Sequence, residues 1–156
     1  KDKMAAPGYQ GLTADQIPIV ALPQEAGTAR IIAGRYGDTQ GAARTFTPMN
    51  VWDLRLQAGR SLSIDLPAGH TAALFVLRGS LQIGAHTIRA AELAVMQREG
   101  TQLACDIPED AMVLLLNGEP LNEPIVGHGP FVMNTRQEIS QAIHDFNNGK
   151  FGQIAH

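Results

Sequence analysis

Trp52-Asp53-Leu54-Arg55-Leu56-Gln57-Ala58-Gly59-Arg60-Ser61-Leu62-Ser63-Ile64-Asp65-Leu66 is the stretch that decides the fold class. Apolar and polar residues alternate strictly over Trp52 to Leu56 and again over Leu62 to Leu66. Successive side chains of a strand point to opposite faces, so each segment presents one apolar face at the two-residue period of a half-buried strand. Ala58-Gly59-Arg60 is short enough to join the two strands as a hairpin.

Outward from this pair the same signal continues. Ala72 to Leu77 is apolar throughout, and its flanking glycines favour a strand buried on both faces over a buried helix. Leu81 to Ile83, His86 to Ile88, Leu93 to Met96, Gln102 to Ile107 and Met112 to Leu116 follow, with Arg98-Glu99-Gly100 and Pro108-Glu109-Asp110 as intervening turns. Upstream, Ile17 to Leu22 and Arg30 to Tyr36 are further short apolar runs, while residues 1–16 are polar, broken by Pro7, Gly8 and Gly11, and read as a linker or arm. Short strands at this cadence predict a small antiparallel sandwich or barrel. Near the carboxyl end the period changes to that of a helix. Thr135 is placed to cap it, Glu138 completes a capping box, and Ile139, Ala142, Ile143 and Phe146 form an apolar stripe ahead of a terminating Gly149. That stripe is expected to pack on the sheet of its own domain.

Composition narrows the function classes. The 156 residues suit one domain, and 16 Gly with 9 Pro fit many tight turns. Charged residues make up only 17% against 44% hydrophobic, which suggests a covered face. A net charge of −3 gives no electrostatic footprint for nucleic acid. The apolar runs fall far short of the ~20 residues that span a bilayer, and no apolar segment follows Lys1-Asp2-Lys3-Met4, so neither a membrane partner nor a signal peptide is expected. The single Cys105 is compatible with a reducing, cytoplasmic setting. The absence of Met at position 1 suggests a fragment.

Chemistry-bearing motifs are sparse. Of His70, His86, His128, His144 and His156, none lies two residues from another, so no strand offers two imidazoles on one face. His86, His144 and His156 are expected at the surface. His70 follows Pro67-Ala68-Gly69 and is the best single candidate, either a polar group at a barrel mouth or a turn histidine. His128 sits in the rigid Gly127-His128-Gly129-Pro130, and Cys105 reads as a core thiol rather than a nucleophile. Glu119 and Glu123 flank prolines and read as solvated. No G-x-S-x-G, P-loop, C-x-x-C or H-E-x-x-H is present. Composition and spacing end at an all-β domain with a terminal helix and no assembled active site: no catalytic, cofactor-binding or metal residue is assigned.

Longer strings carry a resemblance. Leu114-Leu115-Leu116-Asn117-Gly118-Glu119-Pro120-Leu121-Asn122-Glu123-Pro124, then Gly129-Pro130-Phe131-Val132-Met133-Asn134-Thr135, then Gly149-Lys150-Phe151-Gly152 closely resemble the carboxyl-terminal half of the pirin family, which are two-domain cupins. Lys3-Met4 with Pro7 and Tyr9-Gln10 resembles its interdomain linker. Thr45-Phe46-Thr47-Pro48, Asp53-Leu54-Arg55-Leu56, Gly69-His70 and Val76-Leu77-Arg78-Gly79 extend the match through the middle.

The resemblance implies an all-β, cupin-type (double-stranded β-helix or jelly-roll) barrel over residues 17–117, a linker over 1–16, and a Pro-rich return with a short C-terminal α-helix (about 135–148) packed on the barrel over 118–156. It further implies that iron is bound by three histidines and a glutamate of an amino-terminal cupin, not by this half. Several pirin-like proteins resemble quercetin 2,3-dioxygenases; others are described as nuclear, iron-dependent transcription cofactors. Here nothing like H-x-H precedes Val76-Leu77-Arg78-Gly79, and Gln102 and Leu103 stand where a second-motif histidine would fall. No family metal ligand carries over, and Leu74, Val76, Leu103, Met112 and Leu114 are expected to fill the barrel.

The expected partner is therefore the N-terminal cupin domain of the same parent, with self-association of this half as a further possibility. The alternative is a domain with its own site: iron or a flavonoid held through His70 and His128, or a small regulatory ligand in a cavity lined by His70 and Trp52.

Overall fold

The computed structural model describes Asp2, Lys3, Ala5 and residues 8–152. Met4 and Pro7 of the expected linker and the terminal His156 lie outside the described residues. The chain divides into two compact units, Pro7–Pro120 and a C-terminal unit of Leu121–His156 with Lys1–Ala6.

The larger unit contains β1 (Ile19–Ala21), β2 (Gly27–Ala33), β3 (Arg35–Tyr36), β4 (Thr39–Gln40), β5 (Met49–Leu56), β6 (Arg60–Asp65), β7 (Thr71–Arg78), β8 (Ser80–Ile83), β9 (His86–Arg89), β10 (Leu93–Val95), β11 (Gln102–Ile107) and β12 (Ala111–Gly118). Six of them form one sheet in the order β1-β2-β5-β12-β7-β10, four form a second in the order β6-β11-β8-β9, and β3 and β4 make a small ribbon. All of these strand pairs are antiparallel.

Register explains where the core lies. Across the six-stranded sheet, Ala94, Leu74, Leu115, Trp52 and Ile31 stand in one row. Leu74, Leu115, Trp52 and Ile31 are all buried, and they share a single core cluster with Leu62, Ile64, Leu81, Leu103, Cys105 and Ile107 of the second sheet. Two sheets thus close on one apolar interior, each fully buried aliphatic side chain contributing about 1.5–3 kcal/mol relative to exposure.

The next row of the sheet, one residue along each strand, faces outward: Leu93, Phe75, Leu114, Asp53, Arg30 and Ile19. Its middle is ionic, with Asp53 Oδ2 at 3.5 Å from Arg30 Nη1 and 3.1 Å from Arg55 Nη2. On the β7–β10 side it is apolar, and Leu77, Leu93 and Val95 are exposed.

Three expectations change. First, β5 and β6 do not form a hairpin: β5 lies between β2 and β12, whereas β6 is an edge strand of the other sheet. The short connection is a crossing between sheets, fixed where Ala58 N–H donates to Asp110 Oδ1 (2.9 Å) and Gly59 N–H to the Ile107 carbonyl (2.7 Å). Second, Met112 and Leu114 do not fill the interior. The buried residues of β12 are Ala111, Val113, Leu115 and Asn117, so Met112 and Leu114 fall on the other face by simple alternation. Third, β7 is fully buried on one face only, through Ala72, Leu74 and Val76. The arm is tied down as well: Gln10 Nε2 donates to the Arg44 carbonyl (2.9 Å) and Gln10 Oε1 accepts from Arg44 N–H (2.8 Å).

The C-terminal unit holds the hairpin of β13 (Val126–His128) and β14 (Phe131–Met133) and the helix α1 (Arg136–Asn147). Thr135 Oγ1 accepts from Glu138 N–H (3.2 Å) and Glu138 Oε2 accepts from Thr135 N–H (2.8 Å), satisfying two otherwise orphaned donors. Helix α1 lies against β13 and β14 with Ile139 and Ala142 buried. Phe131, Phe146 and Phe151 gather with ring centroids 6.1–6.2 Å apart.

Candidate functional site

Asn117 breaks the inner row of β12. After Ala111, Val113 and Leu115, the two-residue period brings an amide to an inward position only 4% exposed. Burying an amide is costly unless its hydrogen bonds are met, and here they are. Asn117 Nδ2 donates to the Thr71 carbonyl at 3.1 Å, and Asn117 Oδ1 accepts from Asn50 Nδ2 at 3.0 Å. The second amide is oriented in turn, since Asn50 Oδ1 accepts from the Arg35 N–H at 3.0 Å. Gly34 makes this approach possible: a Cβ there would stand 2.0 Å from Asn50 Oδ1.

His70 Nδ1 lies 3.4 Å from Asn117 Oδ1. Because Oδ1 has no hydrogen to give, the hydrogen between them belongs to the ring, and neutral His70 is the Nδ1–H tautomer with Nε2 left as an acceptor. Among the described residues no hydrogen-bond partner meets that second nitrogen.

His70 and Asn117 both line a cavity of about 540 Å³ at one end of the larger unit. Apolar walls come from Leu66, Ile83, Ile88, Met96 and Leu103. Backbone bonds hold the walls together: Gly69 N–H to the Arg98 carbonyl (3.2 Å), Leu66 N–H to the Thr101 carbonyl (2.7 Å) and Met96 N–H to the Ala72 carbonyl (2.9 Å). The interior is packed, as expected, but this mouth is not filled.

The other candidates separate. Trp52 is 2% exposed, sits in the core edge-to-face with Tyr36 at 5.2 Å, and is not part of the cavity wall. Its inward position in the β5 register, rather than its aromatic chemistry, decides that. His128 is exposed on β13 in the C-terminal unit. His86, expected at the surface, is exposed and also contributes to the cavity rim. Asn50 and Asn117 were missed by sequence reasoning; the available signal was an amide at the inward position that follows Leu115.

Among the described residues no three His, Cys, Asp or Glu side chains come together in a way that could hold a metal ion. His70 has an amide, not a second ligand, beside it, and an octahedral ion needs several protein donors to compete with water.

Cys105 is buried, and burial pushes its thiol up to about 11, with the neighbouring Asp106 carboxylate adding to the effect. The folded thiol therefore holds its proton where an unfolded one, at the reference ~8.5, begins to lose it. Two results are expected. At pH 8 the native thiol reacts with a disulfide reagent at least ~100-fold more slowly than in urea. Stability from this group is complete below the unfolded value and falls as pH rises toward 11, because the folded state binds more protons in that window. Native labelling as fast as in urea would contradict both.

Residues 51–152 match the family model described as the pirin C-terminal cupin domain. The chain belongs to the pirin family. A "putative quercetin 2,3-dioxygenase" of Pseudomonas aeruginosa is 52% identical over 150 residues, covering 96% of this chain and 52% of the relative. Human pirin is 36% identical over 157 residues, covering 97% of this chain and 53% of its own length. A crystal structure of quercetin 2,3-dioxygenase from Acinetobacter baumannii superimposes with a TM-score of 0.87 at 45% identity, over 95% of this chain and 52% of that one. The all-β unit is thus a cupin fold, with its two sheets not closed into one continuous barrel. The chain spans about half the length of the curated relatives it matches. No described helix is long and apolar enough to cross a membrane.

Proposed function

We propose that this chain is the metal-free, supporting half of a two-domain pirin-like protein, in which an N-terminal cupin domain binds iron and carries out the chemistry. The observation that carries the reading is the match to a C-terminal cupin family model by a chain that covers only 52% of a relative it matches closely. The lack, among the described residues, of any three gathered His, Cys, Asp or Glu side chains supports it, because an iron centre needs several ligands. The parent's reaction is of the quercetin 2,3-dioxygenase type, a reading supported by the names of the relatives, and its setting is the cytoplasm.

The docking face is the outer side of the six-stranded sheet. Phe75, Leu114, Leu93 and Val95 lie on its β7–β10 side, with Leu93 and Val95 exposed, and exposed apolar patches mark interaction sites. The N-terminal domain is the occupant; self-association of the separate half through the same face is the competing outcome.

The test is to produce the N-terminal domain of the parent separately and titrate it with this chain. Saturable association is expected, weakened at least ~10-fold by Leu93→Arg, since a charge buried against an apolar partner has no ion pair. No association, or association untouched by Leu93→Arg, would remove the docking face.

A further inference from the structure

The mouth of the larger unit has a feature that a supporting role does not use. Asn50 and Asn117 bring four hydrogen-bonding groups beside one histidine, and three hydrogen bonds set all four: Asn50 Oδ1 accepts from the Arg35 N–H, Asn50 Nδ2 donates to Asn117 Oδ1, and Asn117 Nδ2 donates to the Thr71 carbonyl. The product of this relay is a defined tautomer of His70, whose remaining nitrogen has a lone pair and no described partner. His70 lies in the wall of a cavity whose volume, about 540 Å³, falls within the size of small-molecule sites and whose lining combines apolar side chains with polar ones.

We propose that this mouth binds a small, uncharged, largely apolar molecule carrying a hydroxyl group, an alcohol or a phenol, which donates its hydrogen bond to His70 Nε2. This goes beyond the supporting role and does not depend on it. The choice of chemistry follows from the acceptor. A carboxylate has no hydrogen to give and would meet a lone pair with its own. A cation would find no group of three or more His, Cys, Asp or Glu side chains gathered among the described residues. At the rim Arg98 and Glu99 are adjacent and opposite in sign, so the rim as a whole demands no ligand charge. A hydroxyl donor on an apolar body satisfies both the lone nitrogen and the walls of Leu66, Ile83, Ile88, Met96 and Leu103.

The segment 97–102 is expected to respond, because backbone bonds tie Arg98 and Thr101 to the segment that carries His70.

The experiment is an NMR titration of the whole ¹⁵N-labelled chain at pH 8 with 2-naphthol, and in parallel with 2-methoxynaphthalene, which keeps the rings and lacks the donor. Saturable shifts of the backbone amides of residues 97–102 and of the His70 Nε2 resonance are expected with 2-naphthol. The methoxy compound should bind at least ~10-fold more weakly, the loss expected when a buried acceptor is left unpaired. His70→Phe, which keeps the ring volume and removes the acceptor, should weaken 2-naphthol by a similar factor. The proposal is overturned if 2-naphthol gives no saturable shifts in this mouth, or if it and its methyl ether bind equally well. Equal binding of 2-naphthol to folded His70→Phe would overturn it too; the ether comparison decides the matter if that variant does not fold.

Discussion

Gly27→Ala is expected to unfold the larger unit or to cost at least ~3 kcal/mol, from two separate sources that add. The residue has φ of +133°, a region in which an L side chain is strained whatever space surrounds it. The added Cβ would also stand 1.9 Å from the Arg55 carbonyl oxygen and 2.9 Å from its carbon. Those atoms belong to β5, held by β2 on one side and β12 on the other, so the obstruction is backbone that cannot swing aside. Gly84→Ala is the matched control. It too has a positive φ, +56°, but a Cβ there meets nothing within 4 Å. Only the conformational part remains, about 1–2 kcal/mol. Urea unfolding of the two variants beside the parent separates the contributions; equal losses would mean that the close approach of β2 to β5 is not as described.

Leu115→Ala should cost about 2–5 kcal/mol, the usual range for emptying a well-packed aliphatic position. Leu115 is fully buried, in the inner row between Leu74 and Trp52, and facing strands on both sides limit how far the site can collapse. Its neighbour Leu116 points outward and is 38% exposed, so Leu116→Ala should change stability by no more than about 1 kcal/mol. The contrast between adjacent leucines tests the register itself, because a slip of one residue would exchange their roles.

Much of this architecture is legible in the sequence, and the part that is not has a physical reason. The strict alternation of Trp52–Leu56 and Leu62–Leu66 marks two half-buried strands, and the capping residues Thr135 and Glu138 stand where a helix begins. Alternation does not say which sheet a strand joins. β5 and β6 each carry one apolar face, a pattern that fits two paired strands of one sheet and equally two strands facing each other across a core. The crossing is decided by distant partners, Asp110 and Ile107, which a local pattern does not contain. In the same way Leu114-Leu115-Leu116 is uniformly apolar, so nothing in the triplet tells which leucine faces inward until β12 is placed between β5 and β7.

The candidate site was only half legible. His70 could be singled out because it follows a turn and leads into an apolar strand. The relay that orients it joins residues 47 and 67 positions apart, Asn117 with His70 and Asn117 with Asn50. Trp52 failed as a cavity residue for the opposite reason: its aromatic character suggested a ligand wall, while its place in the alternation had already assigned it to the core.

The central claim is that this half of a pirin-family protein retains no catalytic cation of its own, and iron stoichiometry tests it most directly. The purified chain, incubated anaerobically with excess Fe(II), desalted and analysed by mass spectrometry for metal, should carry below about 0.1 iron per chain, because no three potential ligands gather among the described residues to hold the ion against water. Close to one iron per chain, surviving desalting and lost in His70→Ala, would contradict the account.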